Sequence, residues 1–283
     1  MQIAGLVLVT PAIVLLSMVV AGPFVYVVWQ SFFEKDGKGA TLANYDWFMG
    51  PDFWPTLSHG LVIGGLSTLI EVVVAVPLAL LLNERIPARG LLRGLVTLPW
   101  AVPTIAVATA FLWLADPFYG LFDQIGLETG VLKQPISVLG DPHYAIWAVT
   151  VATAWKGLPL VFIVILSSLQ ALQTQYLEAA KVDGAWRLAQ FRYVVLPHLG
   201  SAIALSAVLS GIYNFALFDI AYLLTGGGPA GLTTTWPLVL YNQEFAAFDS
   251  GRASAVGVAI FLAGVLALVV VLGLDALRRR RYT

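Results

Sequence analysis

Three ionisable side chains, Glu71, Lys156 and Asp219, fall inside otherwise apolar stretches. A charge placed in hydrocarbon costs roughly 2.5–3.5 kcal/mol on insertion scales, so such residues are functional suspects. Glu71 and Lys156 have opposite signs and can pair; Lys156 can also snorkel its ammonium toward water. Asp219 lies near the end of its stretch, where it can reach water. On that same stretch Gly211, Asn214, Phe218 and Tyr222 recur at i, i+3, i+7 and i+11, one stripe of a 3.6-residue period, with Phe215 and Asp219 beside it. Small, amide, aromatic and hydroxyl groups on one face match a sugar, whose ring stacks on aromatics and whose hydroxyls bond Asn, Asp and Tyr. The same groups also make hydrogen bonds between spans. Trp155, Lys156 and Gly157 form a further candidate group.

Other chemistries are poorly provided for. His59, His143 and His198 are widely spaced and fall on different sides of the expected membrane, so they do not make one metal site. The chain has no Cys, which removes disulfides, thiolate metal sites and thiol nucleophiles. No Ser-His-Asp set or carboxylate pair survives the topology below, and no catalytic residue is assigned. No G-x-x-x-x-G-K-[ST] run is present, so a phosphate cradle is missing. Gly226 to Gly231 satisfies G-x-G-x-x-G, but it follows an apolar span and faces outside. A net charge of −1 leaves no basic surplus for nucleic acid.

The elements that must carry these residues are membrane helices. AVILMFWYC residues make up 59% of the 283, charged residues only 11%, and mean hydropathy is +0.85. A helix needs about 20 apolar residues to cross the hydrocarbon. Six windows meet that length: Met1 to Phe33, Gly60 to Asn83, Gly94 to Ala115, Tyr144 to Leu169, Leu199 to Leu224, and Ala253 to Leu274. The first has no charged n-region or clear cleavage site and reads as a retained anchor. Pro99 and Pro103 lie inside the third, where neighbours can satisfy the carbonyls that proline frees. The expected fold class is therefore all-α, a polytopic membrane protein of six transmembrane helices.

Lys and Arg set the orientation. Arg85, Arg89, Arg93, Lys181, Arg187, Arg192 and Arg278 to Arg281 give ten on one side, against Lys35, Lys38, Lys133 and Arg252 on the other. Both termini are expected to be cytoplasmic. The outside loops, roughly 34–57, 116–143 and 225–252, hold seven Pro and read as ordered caps with short interfacial helices. Trp47, Trp54, Trp147 and Trp236 fall near the outer boundaries, where indole rings anchor at headgroups. The working division is residues 1–57, a first span with its outside loop, and residues 58–283, a five-helix core. The two three-helix halves show no obvious repeat.

The stretch Gln170 to His198, between the fourth and fifth windows, is unlike the other connections. Gln175 to Val182 is rich in helix formers, Asp183-Gly184 is a turn signal, and Ala185 to Val195 is helical until Pro197 stops it. Leu188, Phe191 and Val195 give that second piece an apolar face flanked by Arg187 and Arg192. Such a helix–turn–helix lies along the membrane surface and can protrude as a knob. Ala179 and Ala180 are small enough to enter a partner's cleft, Gly184 permits a sharp turn, and Glu178 offers a charge to a basic group. An interfacial amphipathic helix without a partner is the alternative.

Glu178-Ala179-Ala180, three residues, Gly184, nine residues, then Val194-Val195-Leu196-Pro197 resembles the EAA loop of ABC-importer permeases, with Val194 in place of the usual Ile. Leu223 to Pro229 and Thr233 to Tyr241 resemble the carbohydrate-uptake branch, in particular the larger-type permease of maltose, trehalose and glycerol-phosphate importers, without its extra N-terminal spans and large outside insertion. The resemblance implies a transport subunit in the inner (cytoplasmic) membrane of a prokaryote. It assigns Glu178, Ala179, Ala180, Asp183 and Gly184 to a cytoplasmic coupling helix docked on an ATPase. It also implicates Asn214, Phe218, Asp219, Tyr222 and Gly211 in the substrate path. The implied partners are a second homologous permease, two ATP-binding subunits, an extracytoplasmic sugar-binding protein and membrane lipid. ATP and Mg would be used by the partner ATPase, no cofactor would be bound by this chain, and the chain would not itself be an enzyme. The rival readings are an ion-coupled secondary transporter with Glu71 and Asp219 as ion sites, and a non-transporting membrane assembly protein that keeps the docking loop.

Overall fold

Local apolar runs, bounded by Pro, Gly and charge, set the helices of this chain. The computed structural model describes residues 2–35 and 39–279. Met1, Lys38, Arg280 and Arg281, which belong to the expected first window and charge pattern, lie outside them. Among the described residues the regular secondary structure is helical apart from an isolated bridge between Phe33 and Ala40. Five segments among the described residues are long and apolar enough to cross a membrane: Val9–Gln30, Phe53–Asn83, Pro142–Ala171, Arg187–Phe215 and Ser250–Val270. The bent pair Arg89–Ala101 and Thr104–Leu114 makes a sixth if it counts as one span.

The chain forms two compact units. One comprises Met1–Pro55 and Trp236–Leu266. Its first span consists of α1 (Gln2–Leu16) and α2 (Gly22–Gln30), joined by a π turn at Ser17–Ala21. Asn44, on a 3-10 turn, donates through Nδ2 to the carbonyls of Ser31 (2.9 Å) and Phe33 (2.7 Å), tying the loop back to the end of α2. Trp236 meets Trp47 and Phe53 with centroids 5.7 and 5.4 Å apart. Trp54 and Trp147 are exposed as a headgroup anchor requires, but Trp236 is buried among these rings and serves as core instead.

The other unit comprises Thr56–Thr235 and Ala267–Thr283. It contains most of α3 (Phe53–Asn83), then α4 (Arg89–Ala101), α5 (Thr104–Leu114), α6 (Leu121–Glu128) and α7 (Pro142–Ala171). These are followed by α8 (Thr174–Val182), α9 (Arg187–Gln190), α10 (Leu196–Phe215) and α11 (Asp219–Thr225). After it come α12 (Trp236–Tyr241) and α13 (Ser250–Arg279), the latter running across both units. Asp141 caps α7 by accepting from the His143 N–H at 2.8 Å, with Pro142 in the first turn.

Apolar burial in this unit falls at two levels. One cluster joins Ala75, Ala79 and Leu82 of α3 with Val161, Phe162 and Ile165 of α7 and Leu199 of α10. The second joins Ile63 of α3, Ala108 of α5, Val149 and Ala152 of α7, and Ile220 and Leu224 of α11. The stretches of α3 and α7 between these clusters carry Glu71, Lys156 and Gly157.

Three expected helices take a different form. The third window is two helices at 97°, because Pro103 pushes Val102 out of the helical region to ψ 130° and lacks the N–H that the Pro99 carbonyl would have used. The fifth window breaks at Ala216–Phe218, and α11 restarts at Asp219, an acid in the first turn where the helix dipole favours it. Conversely, Pro197 does not stop a helix. A π turn over Phe191–Val195 links α9 to α10, the Leu196 N–H reaches back to the Phe191 carbonyl, and Pro197 sits in the first turn of α10. The result is one helix from Arg187 to Phe215.

Candidate functional site

Glu71 is fully buried on α3. Ser210 Oγ donates to its Oε2, and Asn214 Nδ2 donates to its Oε1 at 2.9 Å. Ser210 and Asn214 are one turn apart on α10, so both donors face α3. Asn214 Nδ2 also lies 3.2 Å from Thr68 Oγ1 and 3.1 Å from Ser210 Oγ, while Thr68 donates to the Gly64 carbonyl at 2.8 Å. Across from them is the backbone of Gly157 on α7: a Cβ there would collide with the Glu71 carboxylate. Glycine at 157 is what allows α7 to approach a buried acid so closely. Ser67 adds a further α3–α7 link by donating to the Thr150 carbonyl at 3.0 Å.

Lys156, the neighbour of Gly157, points elsewhere, since successive helical residues project about 100° apart. Its ammonium donates to the carbonyls of Pro99 (3.1 Å), Trp100 (3.4 Å) and Val102. These are the carbonyls at the 97° break, left without helical partners by Pro103 and the end of α4. Lys156 and Glu71 therefore do not form the expected ion pair. The lysine is held by carbonyls, the acid by neutral donors, and α7 stands between them. The rescue of proline-freed carbonyls expected from the sequence does occur, from a residue more than fifty positions away.

The stripe on the fifth window is divided by the break. Gly211 and Asn214 lie on α10, with Asn214 buried in the Glu71 set. Phe218 caps α11, Asp219 opens it, exposed, and Tyr222 follows one turn on. The rings of Phe218 and Tyr222 stack, with centroids 4.9 Å apart and 20° between planes. Asn214 thus does not share one continuous helical face with Phe218 and Tyr222. Thr68 and Ser210 were not singled out from sequence, yet each had a signal. Thr68 is three residues before Glu71, Ser210 is four before Asn214, and all lie in apolar windows.

At the far end of α7 is the knob. α8 ends in a Schellman motif: the Ala185 N–H reaches the Ala180 carbonyl at 2.8 Å and the Gly184 N–H reaches Lys181 at 3.0 Å, with Gly184 at φ +78°. Glu178, Ala179, Asp183 and Gly184 are exposed, and Ala180 is half-buried. Tyr176, Val182, Trp186, Leu188 and Tyr193 surround them with exposed apolar surface; Val182 is 87% exposed. That surface, the acid and the turn all belong to the segment that feeds directly into the long Arg187–Phe215 helix.

Residues 71–281 match the family described as binding-protein-dependent transport system inner membrane component. The chain belongs to this family. It is 35% identical over 228 residues to the trehalose/maltose transport system permease protein MalF of Thermococcus litoralis, covering 81% of this chain and 76% of that protein. It is also 28% identical over 267 residues to the sulfoquinovosyl glycerol transport system permease protein SmoG of Agrobacterium fabrum, covering 92% and 86%. Among solved structures, a bacterial ABC transporter involved in the import of the polysaccharide alginate superposes with a TM-score of 0.81 at 22% identity, covering 97% of this permease and 94% of that chain. At that identity the likeness concerns the fold. The family is a membrane-embedded transport component, not a catalytic subunit.

Proposed function

We propose that this permease is a transmembrane subunit of an ATP-driven importer that moves a sugar, a di- or oligosaccharide, into the cytoplasm. The observation that carries the reading is the exposed knob around Glu178 and Gly184, built as a closed Schellman turn at the root of a helix that runs unbroken to the Glu71 set. A partner that pushes on the knob acts on one long element. The apolar collar and the exposed acid suit a cleft on a separate ATP-binding subunit. Two such subunits would hydrolyse ATP with Mg, and a second, homologous permease would complete the path.

A sugar cargo is supported by the trehalose/maltose permease at 35% identity and by a trehalose permease of Mycobacterium tuberculosis at 30%. Phe218 and Tyr222, stacked beside exposed Asp219, offer the aromatic and hydroxyl groups that sugar rings use. A solved relative of the fold is in complex with a periplasmic protein carrying an alginate pentasaccharide, which supports delivery here by an extracytoplasmic binding protein. In this orientation the knob and both termini are cytoplasmic and the membrane is the inner membrane of a prokaryote. Nothing in the family or its relatives favours the ion-coupled alternative.

The test is substrate-stimulated ATP hydrolysis by the reconstituted complex, comparing wild type with Gly184→Asp and Glu178→Lys and checking assembly by co-purification. Loss of stimulated hydrolysis, or of the ATP-binding subunits from the purified complex, is the expected result. Unchanged hydrolysis and uptake in both variants would overturn the coupling assignment.

A further inference from the structure

Lys156 carries a role that the family assignment does not supply. The residue is 7% exposed, and its ammonium's partners are three backbone carbonyls, with no carboxylate in salt-bridge range among the described residues. All three carbonyls belong to the turn at which α4 gives way to α5. Pro103 and the end of α4 leave this turn without helical hydrogen bonds to these carbonyls, so the backbone there does little by itself to hold one angle. An ammonium with three donors can hold it, and the C-terminal end of α4 is the negative end of a helix dipole.

The position of the turn gives this contact its consequence. α5 packs on α11, and both also rest on α7, on which α4 and α10 pack as well. Along the chain, α5 follows α4 and α11 follows α10 through two breaks, at Val102–Pro103 and at Ala216–Phe218. Both breaks are served from one place on α7. Lys156 closes the first, and Gly157 makes room for the Glu71 carboxylate that holds Asn214 directly below the second. This place lies between the two apolar clusters, where polar contacts join the helices.

We propose that Lys156 is a positioning residue for transport: by bonding the Pro99, Trp100 and Val102 carbonyls, it sets the angle at which α5, with α11 packed on it, turns away from α4. The proposal rests on the importer reading for its link to uptake, but the angle itself is measured without substrate. Lys156 touches no cargo in this scheme. Its loss orphans three carbonyls, and the outer pair then samples several angles instead of one.

The chain has no Cys, so spin labels at Leu95→Cys on α4 and Thr109→Cys on α5, both exposed, report the angle on a clean background. In the reconstituted complex the labelled wild type should give one narrow distance distribution. Lys156→Met should broaden it and lower substrate uptake about tenfold or more, while the ATP-binding subunits stay bound and go on hydrolysing ATP. Lys156→Gln, with two donors and no charge, should fall between the two. An unchanged distribution in Lys156→Met overturns the proposal, whatever happens to uptake. If Lys156→Met does not assemble, Lys156→Gln decides: a broadened distribution supports the proposal, and wild-type distances overturn it, whatever happens to uptake. A failure of the importer reading would show separately, as absence of substrate-stimulated hydrolysis in the unlabelled wild type.

Discussion

Replacing Gly157 by Ala adds one methyl group at the most crowded point of the polar level. Its Cβ would overlap Glu71 Oε1 and sit 2.8 Å from Cδ and 3.2 Å from Oε2. Glu71 cannot swing into solvent, because it is fully buried and tied to Ser210 and Asn214. Either α7 moves away from α3 or the carboxylate moves away from a donor. Overpacking of this kind costs about 1–3 kcal/mol, and a lost hydrogen bond to a charged group about 1.5–3. Alanine returns about 1 kcal/mol of helix propensity. Either way the net is at most about 2 kcal/mol of destabilisation, which for a chain of this size is about 5 °C or less in melting temperature. The assay is the temperature at which half of the detergent-solubilised complex leaves its monodisperse peak. It is measured for wild type, Gly157→Ala, Glu71→Ala and the double variant under one heating protocol, since such unfolding is irreversible. With the carboxylate gone the clash is gone, so Gly157→Ala should cost nothing on the Glu71→Ala background. Equal losses on both backgrounds would refute the account of how α3 and α7 meet.

Three other outcomes follow from contacts of the same unit. Asn214→Asp places a carboxylate against Glu71 where an amide N–H now points, and should lower the same melting temperature by more than Asn214→Ala does, about 3 kcal/mol in all. Gly184→Val, at φ +78°, should cost about 1–2 kcal/mol of local strain. It should also reduce co-purification of the ATP-binding subunits, whereas Gly184→Asn, which tolerates that conformation, should retain most of it. Arg93→Met removes the Nε and Nη2 donors at 3.2 and 2.7 Å from the Leu82 carbonyl at the end of α3. It should cost about 1–2 kcal/mol, read in the heating assay.

The apolar windows were legible because the thickness of hydrocarbon imposes a length that composition alone reveals, and the knob was legible because its turn needs Gly184 at a fixed spacing. The breaks were not. Pro99 and Pro103 are visible in the third window, but whether such prolines leave a helix straight or bent depends on what catches the freed carbonyls. Here the catcher is Lys156, on another helix. The break at Ala216–Phe218 has no Pro or Gly inside it, and its one local mark is Asp219, whose acid suits the start of a helix. Reading Asp219 as a membrane charge hid that simpler signal. Glu71 and Lys156 suggested each other because opposite charges are the most conspicuous pairing in a sequence. Neutral donors such as Ser210 and Asn214 satisfy a buried carboxylate as well, and they draw attention only once a neighbouring helix brings them to it.

The run from Arg187 to Phe215 is 29 residues without a break. At 1.5 Å per residue such a rod is about 43 Å long. Each degree of tilt about its knob end therefore carries the Phe215 end sideways by about 0.75 Å, and five degrees carries it almost 4 Å. No side chain has to switch rotamer for that displacement to arrive. Asn214, one residue from the far tip, is fastened to Glu71, so α3 is drawn along with the rod. The stroke of this machine would then be set by leverage, and its fidelity by how little that one fastening yields.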